Sequence, residues 1–292
     1  MLVIWALVML ASLATGFAYA VRHETRYAGD LAAIARAEAA SEAALRIAIL
    51  ALASSDQDTR WQADGRKHDI PWPEASVTVR VHSESGRIDL NRAPRELLIG
   101  LLQQILPPDA DTETLVDSAI DWRVSIDQPR ANGAEDTDYA RAGDSYGPTN
   151  RPFNSVDEVS QVVGFDRDTV EALVPYLTVY SRRGRVDAAS AESIVLAAIP
   201  GISRADAEAF AAYRDDALAA GEEVNYKELG NGGRFLDTRG NHYVFSLDSD
   251  ISLADGTTLR EHSVVEIRPG RHYKDLAREP LPAPIITEDE SQ

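Results

Sequence analysis

No cysteine occurs in the 292 residues of this chain. Disulfides, thiolate metal sites and cysteine catalysis are therefore excluded, and cysteine usage carries no message about redox compartment. Histidine is scarce and scattered, at His23, His68, His82, His242, His262 and His272. No His-Glu zinc pair, nucleophile elbow or phosphate loop is present. Asp89 and Asp187 are the one candidate acid/base pair, and they read more simply as anchors of helix starts. The residues point away from an enzyme. Cations are in deficit as well: 29 Lys and Arg stand against 47 Asp and Glu, a net charge of −18. Such a charge repels nucleic-acid phosphate, whose binding relies on clustered Lys and Arg. It suits a solvated extracytoplasmic domain, a partner with basic patches, or bound divalent cations.

Charge is also missing from the start of the chain. Leu2 to Val21 is uncharged, and 20 residues of helix reach about 30 Å, enough to cross a bilayer core. Leu2, Trp5, Leu7, Leu10, Leu13 and Phe17 carry most of its apolar bulk. Arg22 to Leu52 then holds one Gly and no Pro and is rich in Ala, Leu, Glu and Arg, all strong helix formers. Leu31, Ile34, Ala37, Leu45, Ala48 and Leu52 keep helical spacing, with Ser41 filling the missing step. The pattern predicts one continuous helix over residues 1–55, half in lipid and half out. Two other readings fit the apolar run. Ala18-Tyr19-Ala20 matches the small-x-small cleavage pattern of a signal peptide. A plain single-span anchor before an unrelated domain is the second.

Ser54 to Pro73 is polar and reads as a loop, and Val77 to Val81 alternates as a strand. Asn91 is placed to cap a helix beginning near Ala93. Helical patterns follow at Thr112–Arg123, Ser155–Val162 with a Ser155/Glu158 capping box, Asp166–Leu173, Ser190–Ala198 and Ser203–Arg214. Strand patterns occur at Leu177–Tyr180, Tyr243–Leu247 and Thr258–Ile267, the last two flanking the turn Ala254-Asp255-Gly256-Thr257. The Pro-rich acidic tail from 276 to 292 is expected to be disordered. Helices enclosed by strands predict an α+β chain with an all-α domain at 91–225, inserted in a sheet built from 56–90 and 226–275. The C-terminal hairpin should pair with Val77–Val81. Within the block, Ile88-Asp89-Leu90-Asn91-Arg92-Ala93 is echoed by Val186-Asp187-Ala188-Ala189-Ser190-Ala191, a sign of two related subdomains.

Two local features carry candidate function. Ile199-Pro200-Gly201-Ile202, and more weakly Val163-Gly164-Phe165, resemble helix-hairpin-helix turns. One reading is DNA backbone binding by a membrane-tethered protein. The other is a helix-packing turn, favoured by Ser203 in place of a second glycine and by the nearby Asp206, Glu208, Asp215 and Asp216. The second feature is acidic: Asp121, Asp127, Glu135, Asp136, Asp138 and Asp144 fall within 24 residues of apparent loop. Flexible, hard oxygen donors are what Ca²⁺ requires, and a loop of about 30 residues calls for an organiser. A solvated acidic loop with internal ion pairs is the alternative.

The segments Ile88–Ala93, Asp121-Trp122-Arg123, Asn132–Asp136, Tyr146-Gly147-Pro148, Pro175–Ser181 and the Val3–Leu7 helix together resemble the K-type minor pseudopilins of bacterial type II secretion systems. The resemblance runs over about residues 1–275. It implies a pilin-like long helix on an antiparallel sheet, with a large all-α domain of two helix-hairpin-helix or SAM-like subdomains inserted. It implies a non-enzymatic subunit that caps the pseudopilus tip with the I and J minor pseudopilins and helps initiate assembly. The major pseudopilin, the inner-membrane assembly platform and membrane lipid would be its further partners, with no nucleic acid. The globular part would lie in the periplasm and the helix in the inner membrane. The inserted domain would bind Ca²⁺, with the six acids above as candidate ligands. Pilin-like precursors carry a short basic leader ending in Gly, cut by a prepilin peptidase. Met1 stands where the mature helix begins, so the expectation is an in-frame leader upstream or a processed form.

Overall fold

A computed structural model describes residues 1–56, 59–125, 130–230, 232–237, 243–268 and 273–282. The chain divides into two compact units: residues 1–81, 247–265 and 269–292 form the first, and 82–246 with 266–268 the second.

The first unit is built on helix α1, Leu2–Leu52, which runs without a break. Its buried face is Ala33, Ala37, Ala40, Ser41, Ala44, Leu45, Ala48, Ile49 and Leu52, spaced at three and four residues. Leu31 and Ile34, expected in that stripe, are half exposed. Ala37, Ser41, Leu45, Ala48 and Leu52 are buried as expected, and Ala33 and Ala40 stand in the seam in place of Leu31 and Ile34. Small side chains let a helix lie close on a sheet, and bulky ones join the seam only toward its C-terminal end, at Leu45, Ile49 and Leu52.

Strands β1 (Asp64–Trp72) and β2 (Ala75–Ser83) form a hairpin. Strand β1 lies where a loop was expected. Its burial is weak, with only Ile70 buried. An edge strand wetted on both faces has no apolar alternation to reveal it. β2 shows the alternation, with Val77, Val79 and Val81 buried.

In the second unit, β3 (Ile88–Asp89) is followed by α2 (Arg95–Ile105), α3 (Thr112–Arg123), α4 (Asp136–Ala142) and α5 (Arg167–Leu173). Then come β4 (Leu177–Thr178), β5 (Val186–Asp187), α6 (Ser193–Ala197), α7 (Arg204–Ala220) and β6 (Leu236–Asp237). The unit is helical but not purely so. β3 pairs with β4 and β5 with β6, both parallel. The internal echo is structural. Leu90 N donates to Thr178 O at 2.8 Å, and Ala188 N to Asp237 O at 3.2 Å. Asp89 O accepts from the amides of Arg92 and Ala93, and Asp187 O from those of Ser190 and Ala191. The Asp89 carboxylate takes the Asn91 amide and the Asp187 carboxylate the Ala189 amide. Both aspartates thus anchor the turn before a helix.

Two expected caps are placed differently. α2 begins after Pro94, and the Asn91 side chain instead clasps Phe153, donating to its carbonyl at 2.9 Å and accepting from its amide at 2.8 Å. Residues Val156–Gln161 are a 3₁₀ helix in which the Ser155 side chain makes no cap bond. Glu158 accepts from the Asn154 amide instead. Ser203 does cap α7 through the Asp206 amide.

Strands β7 (Val244–Leu253), β8 (Thr258–Glu266) and β9 (Lys274–Pro280) complete the antiparallel sheet, whose order is β1-β2-β7-β8-β9. The C-terminal hairpin therefore pairs with β2 as the sequence predicted. β9 corrects the predicted tail: residues 276–280 are strand, and 283–292 lie outside the described residues. Within the first unit, Ser41 donates to Glu261 Oε2 at 2.5 Å and meets Ser249 at 3.2 Å. Arg278 bridges Glu261 and Glu42, its Nη1 standing 2.7 Å from Glu42. These bonds tie α1 to the sheet.

Candidate functional site

The acidic segment is organised by aromatic packing. Asp111 caps α3 by accepting from the Thr114 amide at 3.1 Å, and the helix delivers Asp121 and Trp122 at its far end. Trp122 and Tyr139 are fully buried. Trp122 lies 5.9 Å from Tyr139 and 6.3 Å from both Tyr146 and Phe153, centre to centre. These separations suit attractive ring pairs. A loop expected to need an organiser has one in this cluster, and part of that loop is α4. The helix escaped the sequence because its seven residues, DTDYARA, bury only Tyr139.

The candidate ligands divide by what holds them. Glu135 and Asp138 form the capping box of α4, and Asp138 also pairs with Arg141 at 2.6 Å. The Glu135 amide, then Arg141, hold the Asp138 carboxyl below the ordinary range. Asp121 is buried and accepts from the Arg130 amide at 2.8 Å, with the Arg130 guanidinium 3.7 Å away. Burial raises its carboxyl above the ordinary range against the Arg130 contacts, and Asp117 adds to the rise. The Asp121 and Asp136 carboxylates press on Gly133 and Gly147, where a Cβ would stand 1.7 and 1.9 Å from their oxygens. A side chain at either place would push the carboxylate aside. Asp127 lies outside the described residues. Among the described residues no three acidic or histidine side chains gather as a metal group.

One acid was missed. Asp117 is buried, held by Arg95 at 2.6 and 3.0 Å, with Asn132 Nδ2 at 3.5 Å from Oδ2. Its position four residues before Asp121, on the same face of α3, was the available signal.

The stem is the second candidate. Leu2, Trp5, Leu7, Leu10, Leu13 and Phe17 are all exposed, and the first buried residue of α1 is Ala33. The helix is long and apolar enough to cross a membrane. At the Ile199–Ile202 turn both isoleucines are buried in the core, as a packing turn requires.

Residues 80–182 match the family model described as type II secretion system (T2SS), protein K. A curated relative, type II secretion system protein K of Pectobacterium carotovorum subsp. carotovorum, is 33% identical over 78 residues. That match covers 26% of this chain and 24% of the relative, about a quarter of its length. Among solved structures, a chain of the GspK-GspI-GspJ complex from the type 2 secretion system of enterotoxigenic Escherichia coli superposes with a TM-score of 0.63. The overlap covers 90% of this chain and 99% of that one at 18% identity, a likeness of fold. The K-type resemblance read from scattered motifs is met over residues 80–182 by the family model and over 78 residues by the curated relative, and the solved structure meets it in fold.

Proposed function

We propose that this chain, similar over residues 80–182 to type II secretion protein K, is a non-enzymatic minor pseudopilin that caps the pseudopilus tip and supports its assembly. The observation that carries the reading is the single helix Leu2–Leu52. Its first 20 residues after Met1 are uncharged and wholly exposed, while its last 20 are bonded to an antiparallel sheet. A free apolar helix of that length has two uses, lipid before assembly and neighbouring subunit helices after it. The helical unit, read as an all-α insertion in a pilin-like sheet, is the bulk that would stop a further subunit stacking above. The I- and J-type minor pseudopilins are the expected companions, the major pseudopilin and assembly platform the next, with the stem in the inner membrane and the rest in the periplasm. Nothing in the matches favours the DNA-binding reading.

The test is assembly. The full chain, coexpressed with I- and J-type minor pseudopilins, is expected to elute with both as one complex in detergent. Elution apart from them overturns the reading. The Asp121–Asp144 segment is further proposed to take Ca²⁺, supported by hard carboxylate donors and by Asp121, which is buried against Gly133 beside a second carboxylate.

A further inference from the structure

The described residues carry a strongly basic hollow in an acidic chain. A shallow, open depression of about 440 Å³ is lined by Arg92, Pro94, Arg183, Gly184, Arg185, Arg234 and Asp237, all in the second unit. Four arginines and one aspartate line it, in a chain of net charge −18. Two of the four already hold carboxylates: Arg183 pairs with Asp237, and Arg234 with Glu96 at 2.7 Å. Arg92 and Arg185 are exposed and hold none among the described residues. The backbone draws them together. Arg182 N and Ser181 Oγ are bound by the buried Asp89 carboxylate, which fixes the turn that carries Arg183 and Arg185. A Cβ on Gly184 would stand 2.8 Å from the Arg92 carbonyl oxygen. Only glycine lets the turn lie against Arg92. Arg123, which donates to the Ala93 carbonyl, is buried with Nη1 unpartnered; burial pushes it down to about 10 against the buried Asp89 carboxylate, with Arg130 and then Arg92 adding to the fall. Arg92 and Arg185 are thus the arginines of the hollow left open to an incoming anion.

We propose that the Arg92–Arg183–Arg185–Arg234 hollow is a docking site for an acidic peptide segment of a partner protein. Planar guanidinium forks suit carboxylates, and two of these four are already engaged in that way. A nucleic acid fits less well, because among the described residues no aromatic ring lines the hollow to stack a base, and the net charge of the chain repels a long polyanion. The site does not depend on the assembly role proposed above, so peptide binding and complex formation with I- and J-type subunits are separate readouts.

The test uses the full chain in detergent and labelled hexaglutamate, with hexaglutamine as control. Hexaglutamate is expected to bind, hexaglutamine not, and affinity should fall about tenfold or more between about 50 mM and about 300 mM NaCl. The pair Arg92→Glu with Arg185→Glu should abolish binding, and Arg92→Gln with Arg185→Gln should weaken it without reversing charge. Reversing Arg167 and Arg204, exposed helix residues elsewhere in the unit, changes net charge equally and should leave binding intact. Equal binding of the two peptides overturns the proposal, as does binding that survives both Arg92/Arg185 pairs. Displacement by inorganic phosphate or by an oligothymidylate at lower concentration than hexaglutamate overturns it in favour of a small oxyanion or a nucleic acid.

Discussion

Single side chains decide how the acidic segment holds its shape. Trp122 is the hub: truncating it to Ala removes contacts with Tyr139, Tyr146 and Phe153 at once. The expected cost is about 3–5 kcal/mol, the usual range for deleting a buried aromatic. A denaturant melt of the full chain in detergent checks it, and a loss below about 1 kcal/mol would show that the rings do not organise the segment. Charge acts at the same scale around Arg278. Burial raises the Glu261 carboxyl, but bonds from Arg278 and Ser41 outweigh it, leaving the group below its ordinary range. The Arg278 bond is likewise the largest cause of the lowering at Glu42. A carboxyl depressed in the folded state adds stability above its unfolded pKa, and that stability is lost as pH falls through the folded value. The pair therefore stabilises the chain above about pH 4.5 and ceases to in acid. Arg278→Gln should lower the melting temperature at neutral pH and shrink the fall that sets in below about pH 4.5, as the depressed Glu42 and Glu261 carboxyls take up protons. Parallel curves for variant and parent would show the bridge to be energetically idle.

Elements differ in how plainly the residues announce them. α1 was legible end to end because a long helix repeats one composition many times over. β2 was legible because one face is buried, so Val77, Val79 and Val81 alternate with polar neighbours. β1 was not, because DGRKHDIPW is wet on both sides and carries Pro71, which belongs at an edge. Asn91 satisfies every local rule for a cap, yet a distant backbone at Phe153 took it. The acids of the candidate site were legible as a cluster in sequence but not as roles in space. Two cap a short helix that shows no period, and the buried partner Asp117 lay one turn upstream. The stem yields the prediction proper to this scale. Arg at the centre of a spanning helix costs about 2.5–3.5 kcal/mol on insertion scales. Leu10→Arg should shift the chain from the membrane pellet toward the soluble fraction. Arg22→Leu, at the boundary, should not. Equal partitioning of Leu10→Arg and the parent would mean the run Leu2–Val21 does not hold the chain in a bilayer.

At the scale of the whole chain, charge supplies the last argument. A net −18 destabilises a compact state through self-repulsion, and any salt relieves part of that by screening. Stabilisation by CaCl₂ alone would therefore say nothing about a site. Screening depends on ionic strength, whereas binding depends on the identity of the ion and on its concentration relative to its dissociation constant. Mg²⁺ separates the two, since it prefers a small octahedral shell and keeps its waters where Ca²⁺ accepts a larger, irregular set of oxygens. At matched ionic strength, Ca²⁺ is expected to raise the melting temperature above Mg²⁺ and NaCl, with EGTA reversing the gain. Asp121→Asn keeps the bond from the Arg130 amide within reach of an oxygen while removing one charge. It should abolish the Ca²⁺ increment while leaving the NaCl response intact. If Ca²⁺, Mg²⁺ and NaCl superpose, the acidic segment is a solvated face folded by Trp122 alone. If the increment survives Asp121→Asn, the ion sits elsewhere in the chain.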